Sequence, residues 1–303
     1  MNTDMRTSPK KARKPQARSL YLRDAILAVA GEYDRFSVRQ LFYQLVARRV
    51  IDKTEQTYKR VCDAAVQLRL AGELPYGKIA DGHRTRRAVY QHGGLQEALE
   101  NAFDLYRRNY WLDQARHIEV WCEKDALSGV ILPVCETYGV TSVATRGFPS
   151  LTLIYESAMT LVGIGKPAVI FYFGDHDASG RAISNKLEAD LRAHGARVTV
   201  QRVALNPAQI TQYALPTRPG KWTDSRHAKF AARYGDACVE LDALPPDVLT
   251  DLVEERILAA IDIAAWQRVR EAEALERETL ASIAAIGWEP GVVYHLPRAS
   301  GGT

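Results

Sequence analysis

Apolar residues recur at helical spacing between about residue 18 and residue 110, and this pattern predicts a mainly helical segment. Three helices are expected, over residues 19–33, 37–49 and 54–73. Ser37 is a plausible N-cap of the second helix, because a serine oxygen can accept a hydrogen bond from the first turn. The third helix carries one apolar stripe, which is formed by Tyr58, Val61, Cys62, Ala65 and Leu68.

The residues after Pro75 predict a hairpin, because Asp81 and Gly82 form a pair that is typical of a tight two-residue turn. Three helices followed by a hairpin is the element order of a winged helix-turn-helix, which presses its third helix and its hairpin against DNA. A small helical bundle with a charged surface is the alternative. The third helix and the hairpin offer basic residues as candidate DNA contacts: Lys53, Lys59, Arg60, Arg69, Lys78, His83, Arg84, Arg86 and Arg87.

From residue 117 the pattern changes to short apolar runs that alternate with helical ones, which predicts a mostly parallel α/β domain covered by helices. The strands are expected at residues 117–123, 141–146, 167–174, 196–205 and 237–241. The predicted fold is therefore a winged-helix domain followed by an α/β domain. Its parts are a basic disordered tail at 1–17, the winged helix at 18–110, the α/β domain at 115–245 and a helical extension at 246–303.

Composition adds little to this picture, because 47% hydrophobic and 25% charged residues are ordinary for a globular protein. The sequence has no apolar run long enough for a transmembrane helix and no apolar signal core at its N-terminus. Its four cysteines form no CxxC pair, which argues against structural zinc and disulfides. We expect a cytoplasmic, nucleoid-associated protein. Residues 6–18 hold six Lys or Arg and no acid, which indicates a solvated tail or a segment that binds phosphate loosely.

Acidic residues follow two of the predicted strands, and ligands of open α/β sheets collect at the carboxyl ends of the strands. Glu123 ends the first strand, and Asp175 and Asp177 follow the third. Residues two apart in an extended chain point the same way, and Glu123 can join them if its strand lies beside theirs. Three carboxylates without His or Cys ligands suit a hard cation, above all Mg²⁺. Alternatively, Asp175 or Asp177 caps the helix that begins near Ala178.

The pairing of IEVWCEKDA with the later YFGDHDASG resembles a Toprim domain, the metal-binding α/β module of topoisomerases, primases and related nucleases. ATRGFPS and CVELDALPPDVL resemble the G-[YF]-P and E-x-x-A-L segments of one branch of that family. This branch comprises the A subunit of topoisomerase VI and the meiotic double-strand-break proteins. The resemblance implies that Glu123, Asp175 and Asp177 are Mg²⁺ ligands.

The same branch carries a nucleophilic tyrosine in a V-R-[DQ]-[IL]-[FY]-Y motif of its winged helix, which SVRQLFY at residues 37–43 resembles. At about 100° per residue, the apolar stripe of this helix contains Phe42 and leaves Tyr43 aside, so the core does not need Tyr43. Arg39 lies on the same side as Tyr43, where a guanidinium favours phenolate and can bind a phosphate. The alternative is a tyrosine at the edge of the core with its hydroxyl in water.

The resemblance covers roughly residues 20–245 and implies Mg²⁺-dependent cleavage of double-stranded DNA, with Tyr43 attacking a phosphodiester and Arg39 stabilising the charge. In this family the tyrosine of one protomer serves the metal site of the other, so a homodimer is expected. The sequence has no P-loop motif, which makes a separate B-type ATPase subunit a possible partner, although the chain is similar to the compact stand-alone Mini-A relatives. The alternatives are a Toprim nuclease that uses activated water and a non-catalytic winged-helix protein that binds DNA.

Overall fold

The computed structural model describes residues 17–80, 91–220 and 224–285. It places a helical N-terminal part against a parallel sheet that has helices on both faces. The predicted hairpin turn and its basic residues Arg84, Arg86 and Arg87 lie outside the described residues, as does most of the basic tail. None of the helices in the described part of the chain is long and apolar enough to cross a membrane.

The three helices predicted near the N-terminus are confirmed, as α1 (Ala17–Glu32), α2 (Val38–Ala47) and α3 (Glu55–Leu70). Ser37 caps α2, because its Oγ accepts a hydrogen bond from the backbone of Gln40 at 3.1 Å while the Gln40 side chain accepts one from Ser37 at 2.9 Å. The predicted stripe of α3 is also confirmed, since Val61, Ala65 and Leu68 are buried and Tyr58 and Cys62 are half-buried.

The central sheet has four parallel strands in the order β2-β1-β3-β4. They are β1 (His117–Cys122), β2 (Thr141–Ala144), β3 (Ala168–Phe173) and β4 (Val198–Ala204). The predicted strand–helix alternation and the parallel sheet are therefore confirmed. Because β1 and β3 are neighbours and Cys122 lies opposite Phe173, the residues that follow the two strands emerge side by side.

Eight further α-helices lie in the described part of the chain: α4 (Leu95–Leu105), α5 (Ser128–Tyr138), α6 (Leu151–Ile164), α7 (Ala178–Ala193), α8 (Pro207–Gln212), α9 (His227–Tyr234), α10 (Pro246–Ala260) and α11 (Ile263–Ala284). Two short strands, β5 (Arg218–Pro219) and β6 (Ala237–Cys238), form a separate antiparallel pair. The strand predicted at 237–241 is thus much shorter than expected, because residues 241–243 turn into a short 3₁₀-helix.

Each face of the sheet has its own apolar cluster, since side chains alternate along a strand. Trp121, Ile170 and Tyr172 point toward α6 and α7. The opposite face joins a larger cluster that also includes the buried residues of α1, α2, α3, α5 and α10. The helical N-terminal part and the sheet therefore share one continuous apolar core, and this holds α2 close to the carboxyl ends of the strands.

Candidate functional site

Glu123 and Asp175 meet at the carboxyl ends of β1 and β3. The backbone N–H of Glu123 donates to Phe173 O at 2.8 Å, and Glu123 Oε2 accepts a hydrogen bond from the backbone N–H of Asp175 at 3.0 Å. Gly174 makes this approach possible, because a Cβ there would lie 2.8 Å from Glu123 Oε2. The condition set for Glu123, that its strand lies beside that of the two aspartates, is met.

Asp175 is almost completely buried and bonded through both carboxylate oxygens. Its Oδ1 accepts a hydrogen bond from the backbone of Leu241 at 2.8 Å, and its Oδ2 lies 2.9 Å from Lys124 Nζ. Burial raises the pKa of Asp175 above its ordinary value, and the Lys124 ammonium opposes that shift. To bind a metal ion, Asp175 must therefore give up its contact with the Leu241 backbone or the Lys124 ammonium, or keep that contact while it also binds the metal.

Asp177 caps the helix that follows it. Its Oδ1 accepts a hydrogen bond from the backbone of Gly180 at 2.9 Å, and its Oδ2 lies 3.2 Å from Arg218 Nη2. The capping interpretation of Asp177 is therefore confirmed. The carboxylates of the two aspartates contact different partners, because Asp175 bonds to Leu241 and Lys124 whereas Asp177 bonds to Gly180 and Arg218.

Lys124 is the positive centre of this edge of the sheet. Its ammonium lies 2.9 Å from Asp175, 3.4 Å from Asp242 and 3.8 Å from Glu240. Burial by itself lowers the pKa of Lys124, but these three carboxylates together raise it above the ordinary value. Lys124 is therefore a permanent cation in a mainly acidic surrounding.

Sequence reasoning missed four charged residues of this edge as members of the site: Lys124, Arg218, Glu240 and Asp242. Glu240 lies 3.7 Å from Arg218, and the resemblance had assigned its segment to a closing strand. The available signals were a Lys directly after Glu123 and a pair of acids two residues apart in CVELDALP. Neither signal says which distant residues it joins, since that depends on how residues 239–244 fold back over the strand ends.

The carboxylates of Glu123, Asp175 and Asp177 are ligands that suit Mg²⁺, but they do not converge on one point. In the described part of the chain, no three His, Cys, Asp or Glu side chains come together as metal ligands do. Burial, and then the nearby Asp175, raises the pKa of Glu123 to about 7. A hard divalent cation bound there would favour the ionised carboxylate. The Mg²⁺ site on Glu123, Asp175 and Asp177 stays a prediction.

The expectation that Tyr43 lies outside the core is wrong. Tyr43 is 2% exposed, packs edge to face against Phe42 at 5.5 Å between ring centroids, and has Lys53 Nζ 5.0 Å from its own ring centroid. Burial raises the pKa of Tyr43, Glu240 raises it further, and Arg39 opposes them, so the phenol keeps its proton. The helical periodicity described only the side of α2 that faces the other helices. Residues 241–243 cover a second side.

Arg39 joins the helical part to the acidic edge. Its Nε lies 3.6 Å from Glu240 Oε2, and its guanidinium lies over the ring of Tyr58 at 4.8 Å from the centroid. The Arg39 side chain is 40% exposed, so its guanidinium is accessible to a phosphate. The structure thus places Arg39 against Tyr58, with only an electrostatic influence on Tyr43.

Two of the predicted DNA contacts are used inside the fold. Lys53 precedes α3, where the sequence had placed it on the helix, and its Nζ donates to Pro216 O at 3.1 Å. Lys78 Nζ donates to Tyr33 O at 2.8 Å and belongs to a short 3₁₀-helix where the hairpin was expected to begin. The other three described candidates lie at least partly in solvent: Lys59, Arg60 and Arg69.

A cavity of about 630 Å³ lies between the helical part and the edge of the sheet. Arg39, Tyr58 and Arg69 line it from the helices, and Glu123, Lys124 and Arg146 line it from the sheet. The cavity therefore brings residues of both predicted domains together beside the candidate metal ligands. Among the described residues, Tyr58 lies in the wall of this cavity and Tyr43 does not.

Comparison with known proteins gives this chain no family. No protein-family model matches it, and no curated protein matches it either. The resemblance to the topoisomerase VI branch consequently rests on the motifs and on the placement of their residues.

Proposed function

We propose that this chain cleaves double-stranded DNA in a Mg²⁺-dependent reaction at the edge of the sheet where Glu123 meets Asp175. The observation that carries the proposal is the pairing of β1 with β3, which brings the Glu123 carboxylate of one sequence motif within 3.0 Å of the backbone N–H of Asp175 in the other. Such a contact at the carboxyl ends of parallel strands is what the Toprim resemblance requires.

Three residues would hold the cation: Glu123, Asp175 and Asp177. When bound there, Mg²⁺ would neutralise the nonbridging oxygens of the scissile phosphate. Asp175 and Asp177 would exchange part of their bonding to Lys124 and Arg218 for the metal. Lys124 and Arg218 would then be free to face the phosphate, where fixed positive charge stabilises the transition state.

Tyr43 is the proposed nucleophile of a transesterification. Its Oη would give up its proton and form a bond to phosphorus, while the bond from phosphorus to a sugar oxygen would break and that oxygen would take up a proton. Because Tyr43 is 2% exposed and α2 packs against residues 241–243, this reaction requires α2 to move so that the phenol reaches a phosphate. A homodimer in which α2 serves the partner's acidic edge would provide such a movement. A B-type ATPase subunit is the proposed partner for any strand passage.

Hydrolysis by activated water is the second candidate function, and the burial of Tyr43 favours it. Tyr43 is only 2% exposed, and burial raises the pKa of its phenol, so little of it is present as the nucleophilic phenolate. Water needs only the acidic edge and a cavity open to DNA. This reaction leaves cut strands without attached protein.

Cleavage of supercoiled plasmid with Mg²⁺ or Mn²⁺, stopped by a denaturing detergent, tests the proposal. Cut DNA that carries protein supports transesterification, and cut DNA free of protein supports hydrolysis. Glu123→Gln should abolish cutting, whereas Glu136→Gln, at an exposed position on α5, should not. Binding of DNA without cutting, in either metal, would leave a non-catalytic DNA-binding protein and reject the proposal.

A further inference from the structure

The cavity between the helices and the sheet is lined by basic groups that come from two separate parts of the chain. Among the described residues, the basic lining residues are Arg39, Arg69, Lys124 and Arg146, and the acidic ones are Glu123, Asp125 and Asp242. Arg39 and Arg146 each pair with one carboxylate, Glu240 and Asp125 respectively. A guanidinium has five N–H donors, so each of these arginines keeps donors for a ligand.

Two of these arginines are held in place by aromatic rings. The guanidinium of Arg39 lies 4.8 Å from the ring centroid of Tyr58, and that of Arg69 lies 4.4 Å from the ring centroid of Tyr76. Stacking of this kind orients the plane of a guanidinium and leaves its edge free to donate hydrogen bonds. Arg69 Nε is buried and has no hydrogen-bond partner among the described residues. A buried donor of this kind requires an acceptor.

The third arginine stands on the opposite wall, in an uncommon backbone conformation. Arg146 has φ 54°, in the left-handed region that non-glycine residues rarely adopt, and Gly147 follows with φ 88°. The turn is held to the candidate metal edge, because the backbone N–H of Gly147 donates to Glu123 O at 3.3 Å. The Arg146 side chain is 67% exposed and lies 2.9 Å from Asp125. Its guanidinium is therefore accessible to a ligand that enters the cavity.

We infer that this cavity binds the phosphate ester of a nucleotide, with Arg39, Arg69 and Arg146 as the phosphate-binding residues. Guanidinium groups match the geometry of phosphate oxygens and donate two hydrogen bonds at once. A volume of about 630 Å³ is within the ~300–1,000 Å³ range of small-molecule sites, so it takes a nucleotide unit and not a duplex. The inference rests on the proposed function in one respect: DNA cleavage favours a DNA strand, and not a free nucleotide, as the source of that phosphate.

Binding without metal tests this site separately from cleavage. In EDTA, a fluorescein-labelled oligothymidylate is titrated with the full chain, and its anisotropy is followed at several salt concentrations. Arg69→Gln and Arg146→Gln should each raise Kd about tenfold, the effect of one lost charge-assisted contact. Each should also reduce the slope of log K against log salt by about 0.7 in magnitude. The control Arg268→Gln, at an exposed position on α11 outside the cavity lining, should change neither quantity.

Competition identifies the source of the phosphate, and crosslinking identifies where on the protein it binds. Displacement of the labelled strand by thymidine monophosphate supports a site that also takes free nucleotides, and lack of displacement supports a site that takes only a strand. An oligonucleotide with 5-iodouracil should crosslink on illumination to the tryptic peptide of residues 54–59, whose aromatic residue is Tyr58. The crosslink should weaken in Arg69→Gln and persist in Arg268→Gln.

The outcomes separate this site from the proposed function. Unchanged Kd and salt slope in both cavity variants, with melting temperatures equal to that of the wild type, would overturn the site even if the protein cuts DNA. Crosslinks confined to residues outside the cavity lining would overturn it as well. Weakened binding in both variants, in a protein that never cuts DNA, would keep the site and reject the proposed function.

Discussion

Lys124 Nζ lies 2.9 Å from Asp175 Oδ2, at the place where the sequence predicts a metal ion. The ammonium also approaches Asp242 at 3.4 Å, so one half-buried lysine balances two buried carboxylates. The Lys124 ammonium therefore supplies positive charge that Mg²⁺ would supply at an occupied site. Replacement of this ammonium by Mg²⁺ can be measured.

Removal of Lys124 should destabilise the fold in a way that Mg²⁺ corrects. Lys124→Met leaves Asp175 and Asp242 buried without their cation, which we expect to lower the free energy of unfolding by about 3 kcal/mol. Added Mg²⁺ should restore part of the loss by taking the place of the ammonium. Urea denaturation with and without Mg²⁺ measures both effects.

The matched control is Lys186→Met on α7, where the exposed Lys186 pairs with Asp190 at 3.2 Å. Such a surface pair contributes about 0.5 kcal/mol or less, and Mg²⁺ should not change it. Equal losses for the two variants, or a loss in Lys124→Met that Mg²⁺ leaves untouched, would contradict a metal site at this edge.

The stability of the protein should fall as pH rises from about 4.5 to about 7, in part through Glu123. Its folded-state pKa of about 7 lies above its ordinary value of 4.5, so the folded protein holds this proton more tightly than the unfolded chain. Ionisation of Glu123 then lowers the free energy of unfolding, by at most about 3 kcal/mol across that interval.

Denaturation of wild type and Glu123→Gln at several pH values measures this contribution. The variant should show a flatter dependence between pH about 4.5 and about 7, whereas Glu136→Gln should keep the wild-type slope. Mg²⁺ should also flatten the wild-type curve, because a bound cation favours the ionised carboxylate. Identical slopes in wild type and Glu123→Gln would show that the proton is held elsewhere.

Tyr43 should behave as a core residue in unfolding experiments. Tyr43→Ala removes a fully buried ring and should cost about 3–5 kcal/mol, whereas Tyr43→Phe keeps the ring and should cost less than about 1.5 kcal/mol. The exposed Tyr21 of α1 provides the control, and Tyr21→Ala should have little effect. A small effect of Tyr43→Ala would mean that Tyr43 is accessible in solution.

Covalent trapping decides whether Tyr43 also attacks DNA. Under the proposed transesterification, Tyr43→Phe should abolish protein–DNA adducts without unfolding the protein. Tyr58→Phe, which changes the tyrosine in the cavity wall, is the comparison. Adducts that persist in Tyr43→Phe would remove Tyr43 from the reaction.

Two substitutions at Asp177 separate its role as a helix cap from its role as a metal ligand. Asparagine caps helices about as well as aspartate does, so Asp177→Asn should keep the bond to Gly180 and nearly all stability. Asp177→Ala should lose about 1 kcal/mol. Both variants should lose Mg²⁺-dependent cleavage, since both lack the carboxylate. Wild-type cleavage by Asp177→Asn would leave Asp177 with capping alone.

The sequence determined the elements of this protein and the edge at which its acids meet. Helices α1, α2 and α3 and strands β1 to β4 were predictable because apolar periodicity and capping residues act within a few positions along the chain. The contact between Glu123 and Asp175 followed from the same information, because strands in a parallel α/β domain end at one edge of the sheet.

Only the tertiary structure decided which groups those acids contact and which tyrosine stays accessible. Residues 240–244 fold back across the strand ends, where they bring Asp242 to Lys124 and pack against α2, on which Tyr43 is buried. The periodicity of a helix reports whether a side chain suits an apolar environment, and it contains no information on how many surfaces will pack against it. Burial of Tyr43 and pairing of Lys124 arise from contacts between segments far apart in the chain, which no local pattern encodes.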